Sequence, residues 1–170
     1  MKNKGFTLVE LMVTVSIIGL LSVVVFANYR AGEKQFALQR SAHKLAQDIR
    51  RAQSMAMEAA SYDCGVGWRM KGYGINLIRD NDYYLLKVRC EDEANPGSYD
   101  NRTIGDPINL EEGVKIFSLT TTPLNIFFYP PDPETDLEEQ NEIEITLASK
   151  TDTSKTKKIR VNKAGLIEIE

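Results

Sequence analysis

The sequence predicts an α+β fold in which one long N-terminal helix precedes an antiparallel β-sheet. Three observations carry that expectation. Residues 11–27 form an unbroken uncharged run of seventeen, and residues 38–59 repeat small apolar side chains at helical spacing. From Gly72 onward the pattern changes to short β-branched and aromatic runs divided by turn residues. Helical signals all precede strand signals, an order that gives segregated layers rather than a wound parallel sheet.

The first element is defined by what it lacks. Residues 6–29 contain a single charge, Glu10, in twenty-four positions. That is long enough to cross a bilayer, which needs about 20 apolar residues. A lone carboxylate in hydrocarbon costs about 2.5 kcal/mol or more, so Glu10 is either a defect or a functional group with a partner. Lys2 and Lys4 supply the basic start of a secretory signal, but the apolar run exceeds an ordinary signal core. No small-residue cleavage site follows in FANYRAGEKQ, residues 26–35, so a retained anchor fits better.

The second part of the helix has the opposite character. Residues 28–60 contain no proline and one glycine, Gly32. Leu38, Ala42, Leu45, Ile49, Ala52, Ala56 and Ala59 recur at alternating spacings of four and three, a narrow stripe whose alanines suit close packing onto a sheet. Arg40, Lys44, Asp48, Arg50, Arg51 and Glu58 fall mostly on other faces and read as a solvated surface, with His43 among them. A single helix from residue 6 to about residue 60 is expected.

Strands are expected at residues 73–78, 83–88, 114–119, 125–129, 143–147, 158–161 and 166–169. The first two flank the turn Arg79-Asp80-Asn81-Asp82, and Asn162-Lys163-Ala164-Gly165 makes a tight return between the last two. Ile143, Ile145 and Leu147 alternate with Glu144 and Thr146, as in a half-solvated strand. The acidic, proline-rich run 130–139 reads as a solvated loop, because the oxygens of residues 132–139 lack a recognisable calcium-loop spacing.

Charge is uneven along the chain: residues 1–60 carry eight Lys/Arg against four Asp/Glu, residues 61–170 thirteen against twenty. An acidic β region argues against broad nucleic-acid binding. There is no nucleotide loop, no Ser/His/Asp or Cys/His set and no metal-ligand cluster, and the one histidine is remote from both cysteines. The expectation is a non-enzyme with no cofactor and no metal.

Lys4-Gly5-Phe6-Thr7-Leu8-Val9-Glu10, behind Lys2 and running straight into the apolar segment, resembles the prepilin motif of type IV pilins and type II secretion pseudopilins. The resemblance implies cleavage between Gly5 and Phe6 by an inner-membrane prepilin peptidase, N-methylation of Phe6, and Glu10 as the fifth mature residue. It implies a removed leader (1–5), a transmembrane assembly helix (6–29) and an extracytoplasmic domain (30–170) of pilin-like fold. In that domain the amphipathic helix would end near residue 60 and the sheet would span about 72–170. The implied partners are other pilins or pseudopilins of the filament, the processing peptidase and methyltransferase, and the inner-membrane assembly platform. Glu10 would neutralise the Phe6 amine of an adjacent subunit. Major pilins of the family usually carry a proline some twenty residues into the mature helix; here the first is Pro96, which points to a minor subunit. LAQDIRRAQSMAMEAA, residues 45–60, is similar to the helix end of H-type minor pseudopilins and FimT-like minor pilins.

Two further readings follow from that placement. Cys64 and Cys90 would lie beyond the membrane, where oxidation is permitted; a Cys64–Cys90 disulfide is favoured, with two free thiols as the alternative. Residues 150–163 carry six basic residues and one acid. Because FimT-like pilins that take up DNA use a basic surface, Lys155, Lys157, Lys158, Arg160 and Lys163 are the candidate phosphate contacts, with a solvated hairpin as the plainer reading.

Overall fold

The structure is a computed structural model that describes residues 5–131, 135–137 and 140–170, with the backbone alone for residues 24–31. One helix, α1 (Leu8–Met57), precedes ten strands. These are β1 (Trp68–Leu77), β2 (Tyr83–Asp92), β3 (Tyr99–Thr103), β4 (Ile108–Asn109), β5 (Val114–Leu119), β6 (Leu124–Phe128), β7 (Thr135–Asp136), β8 (Glu142–Ser149), β9 (Thr156–Asn162) and β10 (Ile167–Ile169). The fold is α+β, and the chain forms two compact units, Met1–Phe36 and Ala37–Glu170.

In the first unit α1 starts on a cap. The Glu10 N–H donates to Thr7 Oγ1 at 3.3 Å, so Thr7 is the N-cap and Glu10 the third helical residue. Apolar side chains stand exposed on every side of this segment, Ile17, Ile18, Leu20 and Leu21 among them.

In the second unit the predicted stripe is the buried face of the helix from Leu38 to Ala56, whereas Ala59, its last predicted member, lies past the helix end with φ +47° and is exposed. Ala42, Leu45, Ile49, Ala52 and Ala56 are fully buried and share one core cluster with residues from both sheets. The small side chains let the helix backbone approach the strands closely. Polar side chains then fasten it. Buried Tyr84 donates to Asp48 Oδ2 at 2.5 Å, and burial first, then this hydrogen bond, pushes the Tyr84 phenol pKa up. Arg50 and Gln53 donate to the Ile167 and Gly165 carbonyls at 3.0 and 3.3 Å, and Lys44 to the Asn109 carbonyl at 2.8 Å. Arg50 is thus more than a solvated residue: it closes the Ile167 carbonyl at the β10 edge, where strands otherwise invite pairing.

The single sheet expected from sequence is two. The first runs β3-β2-β1-β6-β7, with β4 pairing β2; the second runs β10-β9-β8-β5. All pairings are antiparallel. The β1–β2 turn joins the sheets, since the Asp80 N–H donates to the Ile116 carbonyl and the Ile116 N–H to the Asn81 carbonyl, at 2.8 and 2.9 Å. Lys115 and Lys150 pair with Asp80 and Asp82 at 2.6 and 2.7 Å across the same junction.

The first sheet has a second layer on its far face. Phe127 is buried yet lies outside the core cluster, and Arg89 covers it with its guanidinium 3.9 Å from the ring centroid. Arg89 also pairs with Asp136 at 2.9 Å, donates to the Tyr129 hydroxyl, and is held through Nε by Asn101 at 3.0 Å. Its side chain crosses β1 where that strand carries Gly72 and Gly74. A Cβ on Gly74 would collide with the Ile126 carbonyl and come within 2.6 Å of the Phe127 ring; one on Gly72 would strike the Phe128 carbonyl.

Candidate functional site: the N-terminal segment and the surfaces of the domain

Gly5, Phe6 and Thr7 precede the helix, with the Phe6 ring largely exposed and Glu10 exposed in the first turn. The Thr7-x-x-Glu10 spacing is that of a capping box, a signal the reading of Glu10 as a lone charge passed over. The carboxylate is favoured at this position even before any partner is considered, since a negative group in the first turn opposes the helix dipole by about 0.3–1 kcal/mol. That is smaller than the roughly 2.5 kcal/mol cost of holding it in lipid. The cap therefore explains where Glu10 sits without offsetting its burial. Among the described residues no helix is long and apolar enough to cross a membrane; side chains 24–29 of the expected span fall outside the described set.

At the far end of the helix, Cys64 and Cys90 are joined by a disulfide with their Cα atoms 5.9 Å apart, both buried. Cys90 lies within β2, which runs on past the expected strand end at residue 88, and stands opposite Met70 of β1. Two more contacts hold the same segment: Tyr73 donates its hydroxyl to the Ala60 carbonyl at 2.7 Å, and Arg102 donates to the Cys64 carbonyl at 2.6 Å. Burial raises the Tyr73 phenol pKa. The helix ends at Met57, three residues short of the expected end, and the stretch to Trp68 is pinned rather than trailing.

Half of the basic residues of the stretch 150–163 are committed to pairing. Lys150 holds Asp82 at 2.7 Å and Lys158 holds Glu144 at 2.9 Å. Arg160 faces Glu142, Glu144 and Glu170 at 3.8, 3.4 and 2.9 Å. Lys158, and then Arg160, keep the Glu144 carboxyl below its usual range. Lys155, Lys157 and Lys163 have no ion pair among the described residues. Sequence counting could not see this, because the compensating acids come from β8, the β1–β2 turn and the C-terminus.

The described part of the run 130–139 is more than the solvated loop expected. Thr135 and Asp136 form β7 against Phe127 and Phe128, and Thr135 and Leu137 are buried. Asp132, Glu134, Glu138 and Glu139, which would have to supply calcium oxygens, lie outside the described residues. Asp136 accepts hydrogen bonds from Arg89 and Tyr129 at 2.9 and 3.0 Å.

Residues 1–26 match the family model described as the prokaryotic N-terminal methylation motif. No curated protein and no solved structure matches the chain. The H-type or FimT-like affinity of residues 45–60 gains nothing from these findings, whereas the N-terminal motif does. The α+β architecture, one helix followed by antiparallel strands, is consistent with a pilin-like fold. The chain carries the prepilin-type signal at residues 1–26, which points to a type IV pilin-like or pseudopilin subunit, a structural protein that assembles with others of its kind.

Proposed function

We propose that this chain is a minor subunit of a type IV filament system, a pseudopilin or minor pilin, assembled from the inner membrane through its N-terminal helix. The observation that carries the reading is the motif KGFTLVE within the matched residues 1–26. In this reading an inner-membrane peptidase cuts between Gly5 and Phe6 and Phe6 is methylated. Residues 6–29 then hold the chain in the bilayer, spanning about 36 Å as helix at roughly 1.5 Å per residue. Residues 30–170 lie on the extracytoplasmic side, where the disulfide is stable. Leu8 to Val23 offer apolar surface in every direction, which suits lipid before assembly and neighbouring helices after it.

Glu10 supplies the register. In a filament the amine of a neighbouring Phe6 is a buried cation, and a carboxylate one helical turn along neutralises it. A subunit out of register leaves both charges unpaired, a penalty of about 3–5 kcal/mol for a broken buried pair. Glu10→Ala should leave processing and the β-domain intact while the mature protein accumulates in the membrane and fails to co-purify with the filament. Glu10→Gln separates the two roles now visible, because Gln serves a capping box but carries no charge. If Glu10→Gln assembles as wild type does, the residue caps the helix and the register role is wrong. Intact-mass measurement of protein from the native host should give a chain beginning at methyl-Phe6; one that keeps Met1 would overturn the processing reading.

The alternative, DNA uptake through residues 150–163, is left with Lys155, Lys157 and Lys163, since Lys150, Lys158 and Arg160 are neutralised locally. Three phosphate contacts would give a log–log salt slope near −3 on duplex DNA, at roughly −0.9 per contact, and the absence of any salt-dependent binding removes this reading.

A further inference from the structure

Among the described residues, every sheet edge but one is engaged by the chain itself. At β5 the Asp80–Asn81 turn bonds both main-chain groups of Ile116, and at β7 the Thr135 N–H donates to the Lys163 carbonyl at 3.0 Å. Arg50 takes the Ile167 carbonyl of β10, and Lys44 the Asn109 carbonyl of β4. β3 is the exception, and its residues 99, 100, 101 and 103 are exposed.

The register of β3 decides which of its groups are free. The Asp92 N–H donates to the Ser98 carbonyl at 3.0 Å and the Ile104 N–H to the Leu86 carbonyl at 2.8 Å, so the even-numbered residues bond to β2. The N–H and C=O groups of Tyr99, Asn101 and Thr103 therefore point outward. They have no partner among the described residues and form a template for another strand. The two charges of the strand, Asp100 and Arg102, pair with each other at 2.9 Å. They leave the edge without net charge, so it is not guarded as a row of lysines would guard it.

We propose that β3 pairs antiparallel with β3 of a second copy of this chain, about a two-fold axis at Asn101. The argument is one of parity and sign. The outward groups meet their counterparts when Asn101 faces its own copy and Tyr99 faces Thr103 of the second chain. That register makes roughly six main-chain hydrogen bonds, two for each facing pair. It also sets Asp100 against Arg102 on both sides of the axis, in the closer positions where cross-strand charges interact most. Sliding by two residues restores the parity but brings Asp100 against Asp100, or Arg102 against Arg102, which repel. The strand is self-complementary in one register only.

A five-residue strand buries less than the roughly 1,000 Å² of a standing interface, so the contact is weak and forms where chains are concentrated. The axis is normal to the sheet, so the helix segments packed on the two paired sheets run in opposite directions. The pairing is thus separate from the packing of α1 in the proposed filament, and it stands or falls without it.

The test is cysteine crosslinking of the full chain in detergent micelles, where Cys64 and Cys90 are already bridged to each other. Asn101→Cys puts the new thiol at the axis, with facing Cα atoms about 5.5 Å apart, within the span of a disulfide. Under mild oxidation it should form a covalent dimer roughly tenfold or more faster than Thr103→Cys, whose copies are held about 13 Å apart along the strands. Adding Asp100→Arg to Asn101→Cys should slow the reaction roughly tenfold, and so should adding Arg102→Asp instead. Mixing these two double variants should restore it, because an all-basic strand then faces an all-acidic one. Thr103→Pro, which removes an outward N–H at an edge that tolerates proline, should also slow Asn101→Cys while leaving every charge in place. Equal rates for Asn101→Cys and Thr103→Cys, no effect of Thr103→Pro, or a mixture no faster than its components would overturn the pairing.

Discussion

Ile17 and Ile49 belong to the same helix, yet one is 52% exposed and the other 0%. Around Ile17 apolar residues occupy all sides, so no face is preferred and nothing in the second unit is needed to explain the sequence there. Around Ile49 apolar residues fall on one stripe, with Arg50 at its margin, reaching the Ile167 carbonyl, and Arg51 exposed. The difference teaches that hydrophobic content and hydrophobic period are separate instructions. Content without period asks for an apolar surrounding from outside the chain; content with period asks for a sheet made by the same chain.

The largest expected effect breaks this contrast most directly. Ile49→Ala should lower the unfolding free energy of the β-containing unit by about 2–5 kcal/mol, through lost burial and a cavity. Ile17→Ala should change it by less than about 0.5 kcal/mol, as for an exposed site. Thermal or denaturant unfolding of the two variants in detergent reads both, and equal losses would mean that the two segments are not distinct in what covers them.

Next in size is the disulfide, which fixes the chain just past the striped segment. Reducing Cys64–Cys90 should cost about 3 kcal/mol, by the loop-entropy estimate for a bridge of this span, and lower the melting temperature by several degrees. Processing and membrane retention, which depend on the N-terminal segment, should not change. Retention that fails on reduction would show the two parts to be coupled.

A smaller loss is expected from Tyr84→Phe, which removes the hydrogen bond to Asp48 and so one of the fasteners of the striped segment. About 1 kcal/mol is expected, because the half-buried Asp48 can turn to water. A loss as large as that for Ile49→Ala would mean that the fasteners, rather than the stripe, hold the helix.

The smallest effect is electrostatic. Lys115 and Lys150, by hydrogen bonding and then charge, hold the Asp80 and Asp82 carboxyls below their usual range, and Lys158 does the same for Glu144. A carboxyl whose pKa is depressed on folding adds stability that is present above its unfolded value, near 4, and is lost as pH falls through the folded value. The melting temperature should therefore be flat above about pH 5 and decline below about pH 4. Combined Asp80→Asn and Asp82→Asn should make the decline shallower; an unchanged acid limb would remove these pairs from the account.

Much of this was legible. The stripe from Leu38 to Ala56, the Arg79–Asp82 turn and the alternation of Ile143, Ile145 and Leu147 each follow a period that backbone geometry imposes. β3 was not, because Asp100, Asn101 and Arg102 on an exposed edge have neither apolar alternation nor β-branching to betray them. β7 hid inside a run whose prolines and acids resemble a loop. The division into two sheets was beyond reach for a different reason: alternation tells which way a side chain points, not which strand answers its hydrogen bonds. The candidate site divides similarly. Gly5, Phe6 and Glu10 form one contiguous word, whereas the acids that take up Lys150, Lys158 and Arg160 come from three separate segments, at Asp82, Glu144 and Glu170.

Gly72 and Gly74 carry a consequence for how this surface can vary. Every replacement of glycine by another amino acid adds at least a Cβ, and at both positions that atom meets a backbone carbonyl of β6, which has no rotamer to yield. Arg89, Phe127 and Tyr129 can be exchanged for other side chains that lie across the strand. The strand beneath them cannot be exchanged. Among relatives of this chain, the decoration of that face should drift while its two bare positions stay unoccupied, which would make Gly-x-Gly on the first strand a better marker of the subgroup than any residue the face displays.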